Sequence, residues 1–304
     1  MKGVKKSVLK KAIFVFILIF CILLTACSSE NSDNTEIIGT EEVEQTADEP
    51  QATSSTEHDD DPQGEGEDDE ADSRTVSQVS DVGEAVLIFV EKLSHLDTYR
   101  SVSTGETRAK VLFANYVQTI SSGVEKSGDT AYFYSDFRSA LLNTTHQAYI
   151  SENMIAYRDD DFSSPDVTDV SNYNKIYGFV PTEELLCGFV INEETLISAE
   201  LVGKENGEYT FKIIIDGELA GSYMKTQMKK MGGLYDLPVF SEVICALTVS
   251  EDWMPVKTEL SSSYTAAFGL LGKVKCNQIL TTVYTDVGGQ VPIENADFWD
   301  GFLK

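Results

Sequence analysis

The chain has 304 residues, 50 acidic against 23 basic, and a formal net charge of −27. Phosphate backbones repel so acidic a chain, which excludes nucleic acid as a partner. The 229 residues after position 75 are enough for one domain with a sizeable core.

A basic head and a short apolar run open the chain. Five lysines lie within the first 11 residues, and residues 12–24 form an uninterrupted apolar run of 13 residues. A membrane-spanning helix would need roughly 20 apolar residues, so the run fits a secretory signal peptide better than a membrane span.

The end of this run, Leu24-Thr25-Ala26-Cys27, resembles the lipobox of bacterial lipoproteins. The resemblance implies that residues 1–27 are a lipoprotein signal and that Cys27 is lipidated and becomes the new N-terminus. It also implies that the rest of the chain is held on the cell membrane, at its extracytoplasmic face, by this lipid anchor.

Residues 28–75 indicate a disordered acidic linker. They carry 18 acidic residues against one arginine, Arg74, and too few apolar side chains to offset the entropy of ordering. Residues 59–70 partly match the calcium loop of an EF-hand, but Gln63 replaces a ligand and Gly66 replaces an apolar residue. A polyanionic linker is the better interpretation, and we predict no metal site.

Residues 76–304 predict an α+β domain. Asp81 and Glu84 have the spacing of a capping box and begin a helix with an apolar face. Residues 98–157 alternate as strands joined by short turns, which predicts an antiparallel meander. We expect a loop over 158–180 and a short helix near 182–189.

The second half predicts a hairpin, a helix and three further strands. Asn206-Gly207 favours a tight turn between strands at 197–202 and 209–215. Strands follow at 239–249, 256–268 and 272–285, and Phe298-Trp299 should pack back onto the body.

The helix expected near 218–231 has a methionine-rich face that contains Tyr223, Met224, Met228 and Met231. Such a face adapts to irregular partners, bound lipid chains included. A helix that fills the core of its own domain is the alternative, and it is the more common one.

This order of elements resembles the half-barrel of the lipoprotein-carrier superfamily, the LolA- and LppX-like proteins, and more closely its Gram-positive members without assigned activity. The opening helix, residues 96–99, the turn-to-strand step at 128–132 and the hairpin at 147–158 carry the resemblance. It implies a curved antiparallel sheet whose concave face is covered by helices and whose cavity holds an acyl chain or another apolar ligand. No ligand residue of the family matches a position here, so Tyr223, Met224, Met228 and Met231 are the candidate contacts.

Cysteines and histidines give no sign of a cofactor or a catalytic centre. Cys187, Cys245 and Cys276 allow one disulfide at most, and buried thiols are the preferred interpretation. The domain has no CxxC for zinc, no GxSxG, SxxK or HExxH, and His95 and His146 have no catalytic partner nearby in sequence. We therefore predict that the chain is not an enzyme.

Two functions follow. The first is a membrane-anchored lipoprotein that binds a lipid or other apolar ligand in the half-barrel. The alternative is an envelope module for protein–protein interaction or sensing, with a filled core. The ligand and any protein partner are not identified by the sequence.

Overall fold

The computed structural model describes residues 73–111, 114–140, 143–159, 163–180, 188–232, 234, 236–267 and 272–303. The predicted signal, Cys27 and nearly all of the linker lie outside these residues, as do Cys187 and residues 182–187 of the expected short helix. Gly188 and Phe189, at the end of that expected helix, are not helical.

Most of the described chain belongs to one antiparallel sheet. Its strands are β1 (Thr98–Val111), β2 (Ala114–Ser127), β3 (Thr130–Ser139), β4 (Asn143–Ser151), β5 (Met154–Arg158), β6 (Asp166–Asp169), β7 (Leu196–Glu205), β8 (Glu208–Asp216), β9 (Val239–Ser250), β10 (Pro255–Ala267) and β11 (Lys273–Thr285).

The spatial order of the strands is β6-β5-β4-β3-β2-β1-β11-β10-β9-β8-β7. Two meanders therefore meet where β1 pairs with β11, and the sheet stays open because β6 and β7 are its two edges. Asn206 and Gly207 take φ of 53° and 81° between β7 and β8, as the predicted tight turn requires. The antiparallel sheet and the α+β class are confirmed.

Five α-helices are present among the described residues: α1 (Val82–Ser94), α2 (Val170–Tyr177), α3 (Gly217–Ala220), α4 (Ser222–Gly232) and α5 (Ala296–Leu303). The Asp81 carboxylate accepts a hydrogen bond from the Glu84 amide and caps α1 as predicted. The helix expected at 218–231 is instead two helices that break at Gly221. Phe189 lies 3.2 Å from the position that a Cβ at Gly221 would take, so the chain passes close to this break.

The predicted loop over 158–180 is wrong in its second half, which contains β6 and α2. Asp169 caps α2 by accepting from the Asn172 amide, and Gly178 ends it with a left-handed conformation. Tyr173 and Tyr177 of this short helix are buried. Burial of these two aromatic side chains, and not helical propensity, therefore stabilises the helix in a segment whose sequence is mostly polar.

The two faces of the sheet are covered differently. One face, here called the core face, carries a large apolar cluster in which Ile213 and Leu247 are packed with Val86 and Phe89 of α1. A second cluster on the same face, nearer β6, joins Ile155 to α2.

The opposite face, here called the outer face, is covered near β3–β5 by α5. Its Trp299 is 1% exposed and packs with Tyr132, Tyr149 and Ala156. The expectation that the tail packs onto the body is confirmed.

Cys245 and Cys276 are both buried, which agrees with the preferred interpretation of buried thiols. Both point to the core face, but Cys245 pairs with Leu260 and Cys276 with Tyr264 on the strand between them. Because β10 separates the two thiols, they cannot form the cross-sheet disulfide that the sequence left open.

Candidate functional site

The predicted methionine-rich face lies between the two clusters of the core face. Tyr223 packs against the cluster of α2, whereas Met224 and Met228 pack against the cluster of α1. A Cβ at Gly188 would lie 2.5 Å from the Met224 methyl group. This face therefore contributes to the protein's own core, and its role as a ligand contact stays a prediction. The side chain of Met231 lies outside the described part of α4.

An apolar pocket opens instead at the β7 end of the core face, and we call it the edge pocket. It has a volume of about 260 Å³. The segment before α1, the start of α1 and strands β7 and β8 form its walls. These are lined by Val76, Ser77, Val79, Ser80, Val82, Ala85, Leu201, Lys204, Tyr209 and Phe211.

Residues 74–79, here called the strap, form one wall of the edge pocket. The Val76 amide donates to the Glu251 carbonyl at 3.1 Å, and the Ser77 amide donates to the Glu251 carboxylate at 3.2 Å. The indole N–H of Trp253 donates to the Arg74 carbonyl at 2.6 Å. Polar contacts with the β9–β10 turn therefore hold the strap in place.

Glu251 is the centre of these contacts. Its carboxylate also accepts from the hydroxyls of Ser77 and Tyr209. Hydrogen bonds from Ser77 first, and then from Tyr209, lower the pKa of Glu251 to about 2. The carboxylate is therefore ionised at neutral pH, the form that accepts these hydrogen bonds.

A cation lies at the rim of the edge pocket. Lys204 is exposed, and its Nζ is 4.5 Å from the centroid of the Tyr209 ring. A hydrogen bond with the Tyr209 side chain is the main cause that raises the pKa of Lys204. The charge of Glu251 also raises the pKa of Lys204, so a carboxylate lies close to this cation. Lys204 is the rim group that attracts an anionic head beside the apolar walls.

His146 has partners in the fold that its sequence neighbours did not reveal. Its Nδ1 is 2.8 Å from Asp159, and its Nε2 is 2.6 Å from the Tyr173 hydroxyl. An ionised carboxylate only accepts, so Nδ1–H donates to Asp159; in the neutral imidazole Nε2 then accepts from the Tyr173 hydroxyl.

The Tyr177 hydroxyl donates to both Asp159 oxygens at 3.1 Å. Burial is the largest cause that raises the pKa of Tyr173 and of Tyr177, with the charge of Asp159 next. Both hydroxyls thus stay protonated as donors, and the network ties α2 to β4 and to the end of β5.

A second pocket, here called the outer pocket, lies between α5 and the outer face. It has a volume of about 320 Å³ and is lined by Tyr132, Gln147, Arg158, Glu294, Asn295, Phe298 and Trp299. The Arg158 guanidinium lies 5.7 Å from the Phe298 ring and 5.3 Å from the Trp299 ring. Its Nε donates to the Gln147 side chain at 2.7 Å.

Beside this pocket the Tyr149 hydroxyl donates to Asp300 at 2.8 Å. Burial, followed by Asp300, raises the pKa of Tyr149 to about 12. This bond fixes α5 to the sheet and so fixes the wall that carries Phe298.

Sequence reasoning missed both pockets. A weak signal for the edge pocket exists, since Val76, Val79 and Val82 repeat at intervals of three just before and into α1. The outer pocket joins residues from β3, β4 and β5 to residues more than 130 positions later, and no local pattern marks it.

No group of three or more His, Cys, Asp or Glu residues in the described ranges is placed to hold a metal ion. None of the described helices is both long enough and apolar enough to cross a membrane.

Comparison with known proteins gives no match to a family model or to a curated protein. The solved structures that are similar include three of low identity. A DUF1329 family protein from Desulfovibrio piger is 11% identical, with a TM-score of 0.26 over 76% of this chain and 100% of that one. A domain described as an outer membrane lipoprotein-sorting protein, from Vibrio parahaemolyticus, is 12% identical, with a TM-score of 0.26 over 70% of this chain and 94% of that one. A LolA superfamily protein from Nitrosomonas europaea is 8% identical, with a TM-score of 0.23 over 72% of this chain and 98% of that one. Similarity at this level leaves membership of the superfamily a proposal.

Proposed function

We propose that the chain is a lipoprotein anchored through Cys27 at the extracytoplasmic face of the cell membrane, and that its domain binds an apolar ligand with an anionic head. In this proposal the open sheet is a half-barrel of the LolA-like type, with the core face as its concave side and with α1, α2 and α4 over it.

The observation that carries the proposal is the edge pocket. Val76, Val79, Val82, Ala85 and Phe211 give it apolar walls. Three of these residues, Val76, Ala85 and Phe211, are buried members of the main core cluster. An apolar chain in the pocket would thus continue the core and remove apolar surface from water.

The strap supplies a route for entry. At about 260 Å³ the pocket lies just below the ~300 Å³ at which small-molecule sites begin, so the strap has to move before a long acyl chain can enter. It is held by hydrogen bonds to Glu251 and Trp253 and by the burial of Val76, and not by strand pairing. The strap can therefore open without disturbing the sheet ladder.

Lys204 supplies the specificity for an anionic head. The mature chain is strongly acidic, so its overall field repels anions. A single exposed lysine at the mouth of the pocket gives a carboxylate or phosphate head one local partner.

A fluorescent fatty acid tests the site. Titration with cis-parinaric acid should give saturable binding, and Val79→Trp should abolish it because the indole fills the pocket. Val102→Trp is the matched control, since Val102 is 40% exposed on the outer face. Binding that survives Val79→Trp would place the ligand elsewhere.

The strap can be tested in the same assay. Glu251→Gln weakens the acceptor that holds Ser77, so we expect faster association of the fatty acid. An unchanged association rate would contradict the role of the strap as a lid.

The anchor is tested separately. Growth with labelled palmitate should label the wild-type chain and leave Cys27→Ala unlabelled and no longer sedimenting with membranes. Equal labelling of the two would refute lipidation at Cys27.

A second candidate function, a protein-interaction module, rests on the edge strand β7. Its apolar side chains Ile197, Leu201 and Val202 are 53%, 44% and 51% exposed. An open edge with exposed apolar residues is a template for an added strand. A photocrosslinker at position 202 in the anchored protein should give one discrete adduct if this function holds, and none if the edge is unused.

A further inference from the structure

The outer pocket lies on the opposite side of the sheet from the edge pocket. Tyr132 of β3, Gln147 of β4 and Arg158 of β5 form its floor, because register places all three on the outer face. Helix α5 closes the side with Phe298 and Trp299. A volume of about 320 Å³ lies at the lower end of the ~300–1,000 Å³ range of small-molecule sites.

The aromatic walls differ in exposure. Trp299 is 1% exposed and Tyr132 is 7% exposed, so both belong to the packed outer cluster. Phe298 is 46% exposed and still lines the pocket. The Arg158 guanidinium covers one face of this ring, 5.7 Å from its centroid, so a ligand would stack on the other face.

The polar side chains that line the pocket end in planar groups, and their charges balance. Gln147 and Asn295 contribute amides, Arg158 a guanidinium and Glu294 a carboxylate. Together these groups offer both donors and acceptors around the pocket. One positive and one negative side chain leave the pocket without net charge, which favours a neutral ligand over an ionic one.

The polar side chains are also held in place. The Arg158 guanidinium lies over Phe298 and Trp299, and its Nε donates to Gln147. The Asn295 side-chain amide donates to the Glu294 carboxylate at 3.3 Å, and the backbone N–H of Glu294 donates to the Glu125 carboxylate at 2.6 Å. A fixed polar rim loses little conformational entropy when a ligand binds.

We propose that the outer pocket binds a neutral pyranose sugar. A pyranose ring has a face of C–H bonds, which suits the negative face of the Phe298 ring. Its edge carries hydroxyls that donate and accept, which suits the amides, guanidinium and carboxylate around it. This site is independent of the edge pocket and of the proposed apolar ligand.

Saturation-transfer NMR on the full-length chain in a non-glycosidic detergent tests the proposal. The probes are neutral oligosaccharides of glucose, N-acetylglucosamine, galactose and mannose, with glutamate and phenylalanine as small charged and aromatic comparators. We expect transfer to the ring protons of at least one sugar and to neither comparator.

Two variants assign the signal to the pocket. Phe298→Ala should weaken sugar binding about tenfold, because it removes the ring on which the sugar stacks. Leu219→Ala is the control for loss of an exposed apolar side chain, since Leu219 is 62% exposed and does not line the pocket; Phe302 is unsuitable because its ring lies 5.2 Å from that of Phe298.

Equal binding by Phe298→Ala and the wild type would overturn the proposal, as would an absence of transfer from every sugar. Transfer to phenylalanine or glutamate alone would also overturn it and would point to an amino-acid site. A circular dichroism melt of each variant checks that α5 stays folded, so that lost binding reports the pocket.

Discussion

The hydrogen bond between His146 and Tyr173 should contribute measurably to stability. His146 is 2% exposed and Tyr173 is fully buried, so neither group can turn to water when its partner is removed. Tyr173→Phe leaves Nε2 of the buried histidine without its donor. A buried polar atom left unsatisfied costs about 1–3 kcal/mol, so we expect the free energy of unfolding to fall by about 2 kcal/mol.

His146→Ala should cost more than Tyr173→Phe. It removes the bonds to both Asp159 and Tyr173 and leaves a cavity among Tyr157, Tyr173 and Tyr177, whose rings lie 4.6 to 6.3 Å from the imidazole. Truncating a buried ring costs about 3–5 kcal/mol. The double variant should be less destabilised than the sum of the two, by about 1 kcal/mol, because the orphaned partner is removed with its neighbour.

Urea unfolding, monitored by circular dichroism, gives the free energy of unfolding of all three variants. Tyr116→Phe is the control, since the Tyr116 hydroxyl donates to Ser139 at 2.8 Å but the side chain is half-buried. We expect that change to stay within about 0.5 kcal/mol. An unchanged free energy of unfolding in Tyr173→Phe, or full additivity of the two changes, would contradict a stabilising role for this buried network.

Three further predictions concern backbone fit and pH. Gly105→Ala should be severely destabilising, because its Cβ would lie 2.1 Å from the Ile279 carbonyl oxygen, and thermal melts should show a loss above about 3 kcal/mol. Gly207→Ala meets nothing within 4 Å but forces alanine to φ of 81°, so the same melts should show a loss of about 1–2 kcal/mol; a larger loss than at Gly105 would contradict this ranking. The pKa of Glu251 is lowered from 4.5 to about 2 in the fold, so its ionised form stabilises the fold above pH 4.5, and that contribution is lost as the pH falls from 4.5 to about 2. Glu251→Gln should lack this part of the acid dependence in urea unfolding, and an unchanged pH profile would show that the strap contacts contribute nothing.

Local patterns predicted the sheet well. Alternation in residues 98–157 and the Asn206-Gly207 turn were sufficient for the meander and the hairpin, since strand period and turn chemistry are encoded in neighbouring residues. The capping residue Asp81 similarly marked the start of α1. These features depend on contacts within a few positions of the chain.

The segment at 163–180 was mispredicted because its structure depends on distant partners. Residues 170–177 have weak helical propensity, and they form α2 because Tyr173 and Tyr177 pack against β4, β5 and His146. No pattern of residues within the segment itself predicts that burial. The same holds for His146, whose partners lie 13 and 27 positions away.

The candidate site could be predicted least of all. The methionine-rich face of α4 was identified from helical spacing, which correctly finds an apolar face but cannot say whether protein or ligand covers it. The edge pocket depends on how the strap packs beside β7 and β8, 120 or more positions later. Its cationic rim residue, Lys204, is one of 23 basic residues in the chain, and spacing alone does not distinguish it.

Native mass spectrometry tests directly whether the domain binds an apolar ligand. The chain from Ser28 onward, expressed without its signal in a lipid-containing host, is measured intact and then extracted with organic solvent. We predict a stoichiometric co-purifying species with an acyl chain, absent from Val79→Trp and present in Val102→Trp. A clean unliganded mass for the wild type, with no rise in melting temperature when fatty acid is added, would contradict it and leave the β7 edge as the functional surface.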